Sequence, residues 1–285
     1  MTDIIIDGNS LYARSWFGAM KDQDDTDEAI RASLGLLFSV MEGCNGGRAG
    51  TRCLFCWDAG AKKDKQRAPK PAGFHSTLDE FIDFVPKLLG TPNALIQGYE
   101  ADDLVATAVF ESAADRIYVV SGDKDLQQLH GGPVTYYSLN TKGPLSNHTI
   151  LSKWSVKHPS QMAIALAILG DKVDAIDGLK GWGAKKVAQL FKHVRPDMNF
   201  EEALTTISDQ VPEHMQDKFW DSFSLTLLNS GIADVPSPGV IRWADGGLLD
   251  DMGFDSLSEW YHRLSGVRGS GRSQQRRVDE ALAMV

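Results

Sequence analysis

The chain opens on an apolar run that ends in an acid, and the same pattern returns twice. Ile4-Ile5-Ile6 precedes Asp7, Cys53 to Trp57 precedes Asp58, and Ile117 to Val120 leads into Ser121-Gly122-Asp123. Short continuous apolar runs bounded by turn residues predict fully buried strands. Between them, apolar positions recur at helical spacing. Helices are expected from about Asn9, over about Asp27 to Glu42, over about Thr77 to Leu89 and from near Glu100, with a short strand at Leu95-Ile96. Strands alternating with helices predict a mainly parallel sheet covered on both faces. Sites in such sheets form at the carboxyl ends of the strands. Three strands here bring an aspartate to that edge.

Beyond about residue 149 the pattern turns helical. Gln161 to Leu169 is apolar at helical spacing, and further helices are expected at Ala184 to Lys192, Phe200 to Ser208 and Pro212 to Asn229. A Gly-rich segment, Gly178 to Lys186, lies between the first two of these. Val235-Pro236-Ser237-Pro238-Gly239 marks a turn, and Arg268 to Arg277 is rich in Gly, Ser, Gln and Arg. The expected division is an α/β domain over residues 1–158 and a helical region over residues 159–285.

Composition narrows the class. With 42% hydrophobic and 24% charged residues in 285, the chain reads as globular and able to bury a large core. No apolar run approaches the roughly 20 residues of a membrane span, and the N-terminus has no basic stretch followed by an apolar signal region. The expected location is the cytoplasm. Cys44, Cys53 and Cys56 are odd in number, which argues against a disulfide framework. Cys53 and Cys56 have zinc-like spacing but no second pair. On a strand, residues three apart point to opposite faces, so both are expected to be buried core residues. A formal net charge of −9 argues against nucleic-acid binding unless the acids are concentrated where cations offset them.

The acids are concentrated. Besides Asp7, Asp58 and Asp123, the set includes Asp125, the helix-opening Glu100, Asp102 and Asp103, and Asp171 and Asp174 in Gly170-Asp171-Lys172-Val173-Asp174. A single strand-end or first-turn acid serves equally well as a helix cap. Many carboxylates on one edge repel, and some must hold protons unless cations are present. All-oxygen ligation without His or Cys suits Mg²⁺ or Mn²⁺ rather than zinc. Two groups of acids invite two ions, the arrangement used for in-line phosphodiester cleavage.

In the Gly-rich segment, glycines permit tight turns and close approach, and the following helix presents amides to phosphate. Lys185 and Lys186 add sequence-independent contact with a duplex backbone. Gly183-Ala184-Lys185 breaks the Walker pattern, which excludes that nucleotide loop. The basic stretch with Lys62, Lys63, Lys65, Arg67 and Lys70 reads on its own as a solvated loop.

Five segments in order, Ile6-Asp7-Gly8-Asn9-Ser10, Trp57-Asp58-Ala59, Glu100-Ala101-Asp102-Asp103, Ser121 to Asp125 and Gly170 to Asp174, resemble the motifs of the flap endonuclease and 5′–3′ exonuclease family. That family includes bacteriophage 5′ nucleases and the nuclease domain of bacterial DNA polymerase I. The resemblance runs from residue 3 to about residue 195. It implies a PIN-like sheet followed by a helix–three-turn–helix (helix-hairpin-helix) region. It also implies a structure-specific 5′ nuclease of DNA replication or repair. Asp7, Asp58, Glu100, Asp102 and Asp123 would serve one Mg²⁺, Asp125, Asp171 and Asp174 a second, with Asp103 near both and Mn²⁺ as a substitute.

By the same resemblance, Gly178, Gly181, Gly183, Lys185 and Lys186 form a DNA-binding hairpin that holds K⁺. Lys63 and Arg67 would belong to an arch acting on the scissile phosphate. The segment is short for an arch, so threading and an open groove both stay open. The implied partners are DNA with 5′ flaps, nicks or free 5′ ends, and RNA–DNA hybrids, met by a monomer. The alternatives are a PIN-type ribonuclease, which the hairpin disfavours, and a catalytically inactive nucleic-acid-binding protein, which would lack some of the acids.

Overall fold

The computed structural model describes residues 1–19, 26–60, 70–244, 249 and 254–266. At its centre is the first acid-ended run, β1 (Thr2–Asp7). Parallel neighbours flank it: β2 (Thr51–Trp57) on one side and β4 (Arg116–Ser121) on the other. Ile4 therefore lies opposite both Cys53 and Tyr118. Outside them run β3 (Asn93–Leu95) and β5 (Val134–Ser138), both parallel, and β6 (Gly143–Pro144), antiparallel, in the order β3-β2-β1-β4-β5-β6.

The two-residue period sorts the strands into two cores. Ile4, Ile6, Cys53, Phe55, Trp57, Val120 and Tyr137 face one layer. Ile5, Leu54, Cys56, Ile117, Val119 and Tyr136 face the other. Helices α1 (Gly8–Ala19), α2 (Thr26–Gly43) and α3 (Phe74–Leu89) cover the first face, and α4 (Ala101–Glu111) covers the second. Parallel strands linked through helices reproduce the α/β layering expected from the sequence. Cys53 and Cys56 lie in different cores, both fully buried, and burial raises both thiol pKa values well above the ordinary range. Their zinc-like spacing is a consequence of packing.

A third core holds the helical region. It comprises α5 (Asn147–Trp154), α6 (Met162–Leu169), α7 (Ala184–Leu190), α8 (Phe200–Ser208) and α9 (Glu213–Thr226). Every residue of α6 from Met162 to Ile168 is buried. That helix is the axis around which Val187, Leu190, Ile207, Phe219 and Phe223 pack.

The structure departs from the sequence pattern in several places. Helix α3 begins at Phe74 rather than Thr77, because Phe74 packs edge-on against Tyr12 and Trp16 at 5.1 and 5.4 Å between ring centroids. The short strand starts at Asn93, not Leu95. Strands β5 and β6 and helix α5 have no counterpart in the pattern. Residues 239–244, 249 and 254–266 return to the first core. There β7 (Gly239–Val240) pairs antiparallel with Arg52 and Cys53 of β2, and α10 (Asp255–Ser265) sets Tyr261 against Phe38. No helix among the described residues is long and apolar enough to cross a membrane.

Candidate metal centre

Because β1, β2 and β4 are parallel neighbours, the acids after them share one edge. Asp7 accepts hydrogen bonds from Ser10 N (2.9 Å) and Ser121 Oγ (2.7 Å). Ser121 Oγ in turn accepts from Asp123 N at 2.9 Å, so one hydroxyl ties the ends of β1 and β4 together. Asn9 Oδ1 accepts from Asp58 N (2.7 Å), and Asp58 Oδ1 accepts from Ala101 N (2.8 Å). The Asp58 carboxylate therefore sits at the N-terminus of α4, where the helix dipole favours an anion. Glu100 stands at the N-cap position of that helix, and Asp102 and Asp103 occupy its first turn. Asp58 is thus the link from the strand edge to the α4 acids.

A second group lies beside the first. Asp125, Asp171 and Asp174 each place a carboxylate oxygen within 4.8 Å of the others. Asp125 follows Asp123 in a turn closed by Asp125 N donating to Asp123 Oδ1 (2.9 Å). The Tyr136 hydroxyl fixes the same turn by donating to the carbonyls of Ser121 (2.8 Å) and Asp123 (2.7 Å). Asp171 and Asp174 arrive from the loop after α6. Two reciprocal backbone bonds between Asp171 and Ile176, each 2.7 Å, close that loop.

Two glycines make the closure possible. Gly170 (φ +74°) and Gly178 (φ +65°) approach so closely that a Cβ on Gly178 would lie 2.4 Å from Gly170 N. Only glycine fits at that crossing. Gly178, expected at a DNA-binding turn, is buried against the chain and sets the shape of the acid loop. Gly181 and Gly183 are different: each is exposed, and added Cβ atoms would meet nothing within 4 Å. Lys185 is exposed on the first turn of α7, and the Lys186 ammonium lies 4.7 Å over the Trp182 ring.

The edge is electrostatically strained without cations. Burial pushes the Asp7 carboxyl up to about 8; the bonds from Ser121 and Ser10 oppose the rise, and Asp58 and Asp123 add to it. Asp125 is raised to about 7, first by burial and then by Asp123, against the pull of Lys124, with Asp171 and Asp174 adding further. Carboxyls that must otherwise keep protons near neutral pH are suited to a hard divalent cation, and the ligand oxygens are all carboxylate. The residues present fit Mg²⁺ or Mn²⁺.

Asp103, expected near both ions, also holds a backbone partner. Its Oδ1 accepts from Asn229 N at 3.0 Å, and one turn later Thr107 Oγ1 bonds to Asn229 O at 3.4 Å. Asp103 thereby ties α4 to the segment leaving α9. Lys63 and Arg67 lie outside the described residues. Lys70, from the same basic stretch, is exposed with its ammonium 5.6 and 5.1 Å over the Phe17 and Phe74 rings.

Several residues that organise the edge had no assigned role in the sequence reading. Asn9, Ser10 and Ser121 fell inside recognised segments, so their neighbours were the available signal. Lys124 also fell inside a recognised segment, but its partner Asp171 is 47 residues away, and Tyr136, in an unanticipated strand, had no signal.

The chain matches the family described as 5′-3′ exonuclease, N-terminal resolvase-like domain, over residues 2–157. A DNA polymerase I of Pseudomonas aeruginosa is 38% identical over 129 residues, covering 45% of this chain and 14% of that polymerase. The 5′-3′ exonuclease of Aquifex aeolicus is 28% identical over 204 residues, covering 66% of this chain and 68% of that protein. The match therefore takes in a small part of the polymerase and about two thirds of the exonuclease. Among solved structures, T5 5′-exonuclease with bound zinc superposes with a TM-score of 0.62 over 93% of this chain and 100% of that one, at 17% identity. That likeness shows a shared fold.

Proposed function

Because the chain belongs to the 5′-3′ exonuclease family, whose N-terminal resolvase-like domain it carries over residues 2–157, we propose that it is a divalent-metal-dependent 5′ nuclease. It hydrolyses DNA phosphodiester bonds near 5′ ends, as flap endonuclease and 5′–3′ exonuclease, in replication or repair. One observation carries the reading: Asp125, Asp171 and Asp174, within 4.8 Å of one another, adjoin the edge that holds Asp7, Asp58 and Asp123.

In this reading Asp7, Asp58, Glu100, Asp102 and Asp123 hold one ion, and Asp125, Asp171 and Asp174 hold the second. Asp103 lies near both and also fixes α4 against Asn229. When bound, Mg²⁺, or Mn²⁺ in its place, supplies Lewis-acid activation of the scissile phosphate and the attacking water. Asp58 and Asp7 are kept rigid by Asn9, Ser10 and Ser121, so the carboxylates require little reorganisation as charge develops. Water adds to phosphorus, the bond to the 3′ oxygen breaks, and the products are a 5′ phosphate and a 3′ hydroxyl. Lys63 and Arg67 are proposed, on resemblance, to stabilise charge on that phosphate.

The division of labour largely follows the chain: residues 1–158 carry every acid of the metal edge except Asp171 and Asp174, and residues 159–285 add those two and the duplex grip. Gly181 and Gly183 leave their backbone open to a phosphate and to K⁺, and Lys185 and Lys186 supply charge. The protein is proposed to act as a cytoplasmic monomer on flaps, nicks and free 5′ ends, RNA–DNA hybrids included.

Purified protein with Mg²⁺ is expected to cut a 5′-flapped duplex near the junction, and chelator to stop it. Running flap, nicked, blunt and single-stranded substrates side by side reads the balance of endonuclease and exonuclease. Equal cleavage of single-stranded RNA that lacks any duplex would replace this reading with a PIN-type ribonuclease.

Lys185→Ala tests the grip separately. Losing one phosphate contact should weaken duplex binding and reduce the slope of log affinity against log salt by about 0.9, while divalent-ion binding is unchanged. An unaltered slope across a salt titration removes the hairpin from DNA binding.

A further inference from the structure

The Asp125–Asp171–Asp174 cluster already contains a cation. Lys124 Nζ donates a hydrogen bond to Asp171 Oδ2 and lies 3.6 Å from Asp125 Oδ1. The lysine side chain is 31% exposed, while those of Asp125 and Asp171 are 11% and 4% exposed. The ammonium therefore reaches the buried carboxylates from the solvent side.

The backbone around this lysine is fixed on every side. Asp123 Oδ1 accepts from Asp125 N at 2.9 Å, and Tyr136 OH holds the Asp123 carbonyl at 2.7 Å. Gln128 Nε2 donates to the Asp125 carbonyl at 2.9 Å. Opposite, Asp171 Oδ1 is held by Val173 N at 3.0 Å. Any change of occupancy in the cluster must come from the flexible lysine stem, because the turn and the acid loop are anchored.

Three carboxylates within 4.8 Å need positive charge, and one ammonium offsets a single unit of it. A divalent ion offsets two, but it needs the same Asp171 and Asp125 oxygens. Two cations a few ångströms apart in a partly buried site repel strongly. We infer that Lys124 is the resident counter-ion of this cluster and that the second divalent ion binds by displacing its ammonium.

Two consequences follow from displacement. The second ion binds less tightly than its carboxylates alone allow, because it must break an ion pair. The released ammonium stays tethered on the solvent face of the cluster, where a phosphodiester oxygen is a suitable partner. Substrate then favours the second ion and the second ion favours substrate, by linkage. Lys124 is on this account a positioning residue that couples ion entry to phosphate arrival.

The inference rests on the two-ion reading above, and a Mn²⁺ titration separates the two. Free Mn²⁺ is followed by its electron paramagnetic resonance signal with the full-length wild type, Lys124→Met and Lys124→Arg. Lys124→Met is expected to tighten the weaker class of Mn²⁺ about tenfold or more, leave the tighter class unchanged, and lose the effect in Lys124→Arg. Two classes with the weaker one unaltered in Lys124→Met overturn the role of the lysine alone. A single class in all three proteins overturns the two-ion reading and this inference with it.

A measurement on the wild type guards against a variant that fails to fold. Acylation of lysine amines, read peptide by peptide by mass spectrometry, should rise at Lys124 across the second Mn²⁺ step. Labelling that stays flat or falls across that step overturns displacement.

Discussion

Asp7→Asn lowers single-turnover cleavage of a 5′-flapped duplex in Mg²⁺ by about a thousandfold or more, and yet the metal-free variant melts at a higher temperature than wild type at pH 8. Both halves come from the same carboxylate. Asp7 ends the central strand, with its oxygens fixed by Ser10 N and Ser121 Oγ. An amide of the same shape keeps the packing but removes the charge that a divalent ion requires. In the absence of ions that charge is a burden, because burial raises the carboxyl to about 8 from an ordinary value of 3.8. The difference sets a ceiling of about 6 kcal/mol on what the variant gains at high pH. Activity within tenfold of wild type, or a lower melting temperature in chelator, would remove Asp7 from the proposed metal site.

The metal-free protein is expected to lose stability steadily as pH rises from about 4 to about 8, with Mg²⁺ removing most of the loss. Asp7 and Asp125 have folded-state values of about 8 and about 7, both above the unfolded value of 3.8. Below pH 3.8 both states hold the proton and the difference is zero. Between 3.8 and the folded value, the unfolded chain has released a proton that the folded chain retains. Unfolding then liberates protons, so stability falls as pH rises, and the slope vanishes above the folded value. The two groups together set a ceiling of about 10 kcal/mol, reduced by compactness of the unfolded chain and by coupling within the cluster. Urea unfolding at stepped pH values, in chelator and in Mg²⁺, reads both curves. A flat metal-free curve would mean that these carboxyls ionise freely in the folded protein. The double variant Asp7→Asn with Asp125→Asn should show most of the slope gone.

Much of the first half was legible from residues alone. Strands β1, β2 and β4 announced themselves as continuous apolar runs because a central parallel strand is buried on both faces, and each carried its acid in plain view. Cys53 and Cys56 were placed on opposite faces by strand periodicity, as the two cores confirm. Strand β5 was harder to see: Thr135 and Ser138 interrupt its apolar character. β7 is two residues long and exists only because Arg52 and Cys53 offer it a partner. The start of α3 moved to Phe74 because aromatic packing against Tyr12 and Trp16 outweighed helical periodicity. Gly178 appeared to belong with Gly181 and Gly183, and its different position emerges only where the chain crosses Gly170.

The sequence by itself determined which residue types could meet at the strand edge, since apolar runs, caps and glycine turns act over a few neighbouring positions. It determined that oxygen ligands predominate and that no histidine falls within the acid-bearing segments. Tertiary structure alone decided which acid faces which. Asp103 turned to the backbone of Asn229, 126 residues away, and Lys124, flanked in sequence by Asp123 and Asp125, found Asp171 across 47 residues. Charge and hydrogen bonding act through space, so partners are chosen by where packed helices and strands deliver them, and no local pattern records that choice.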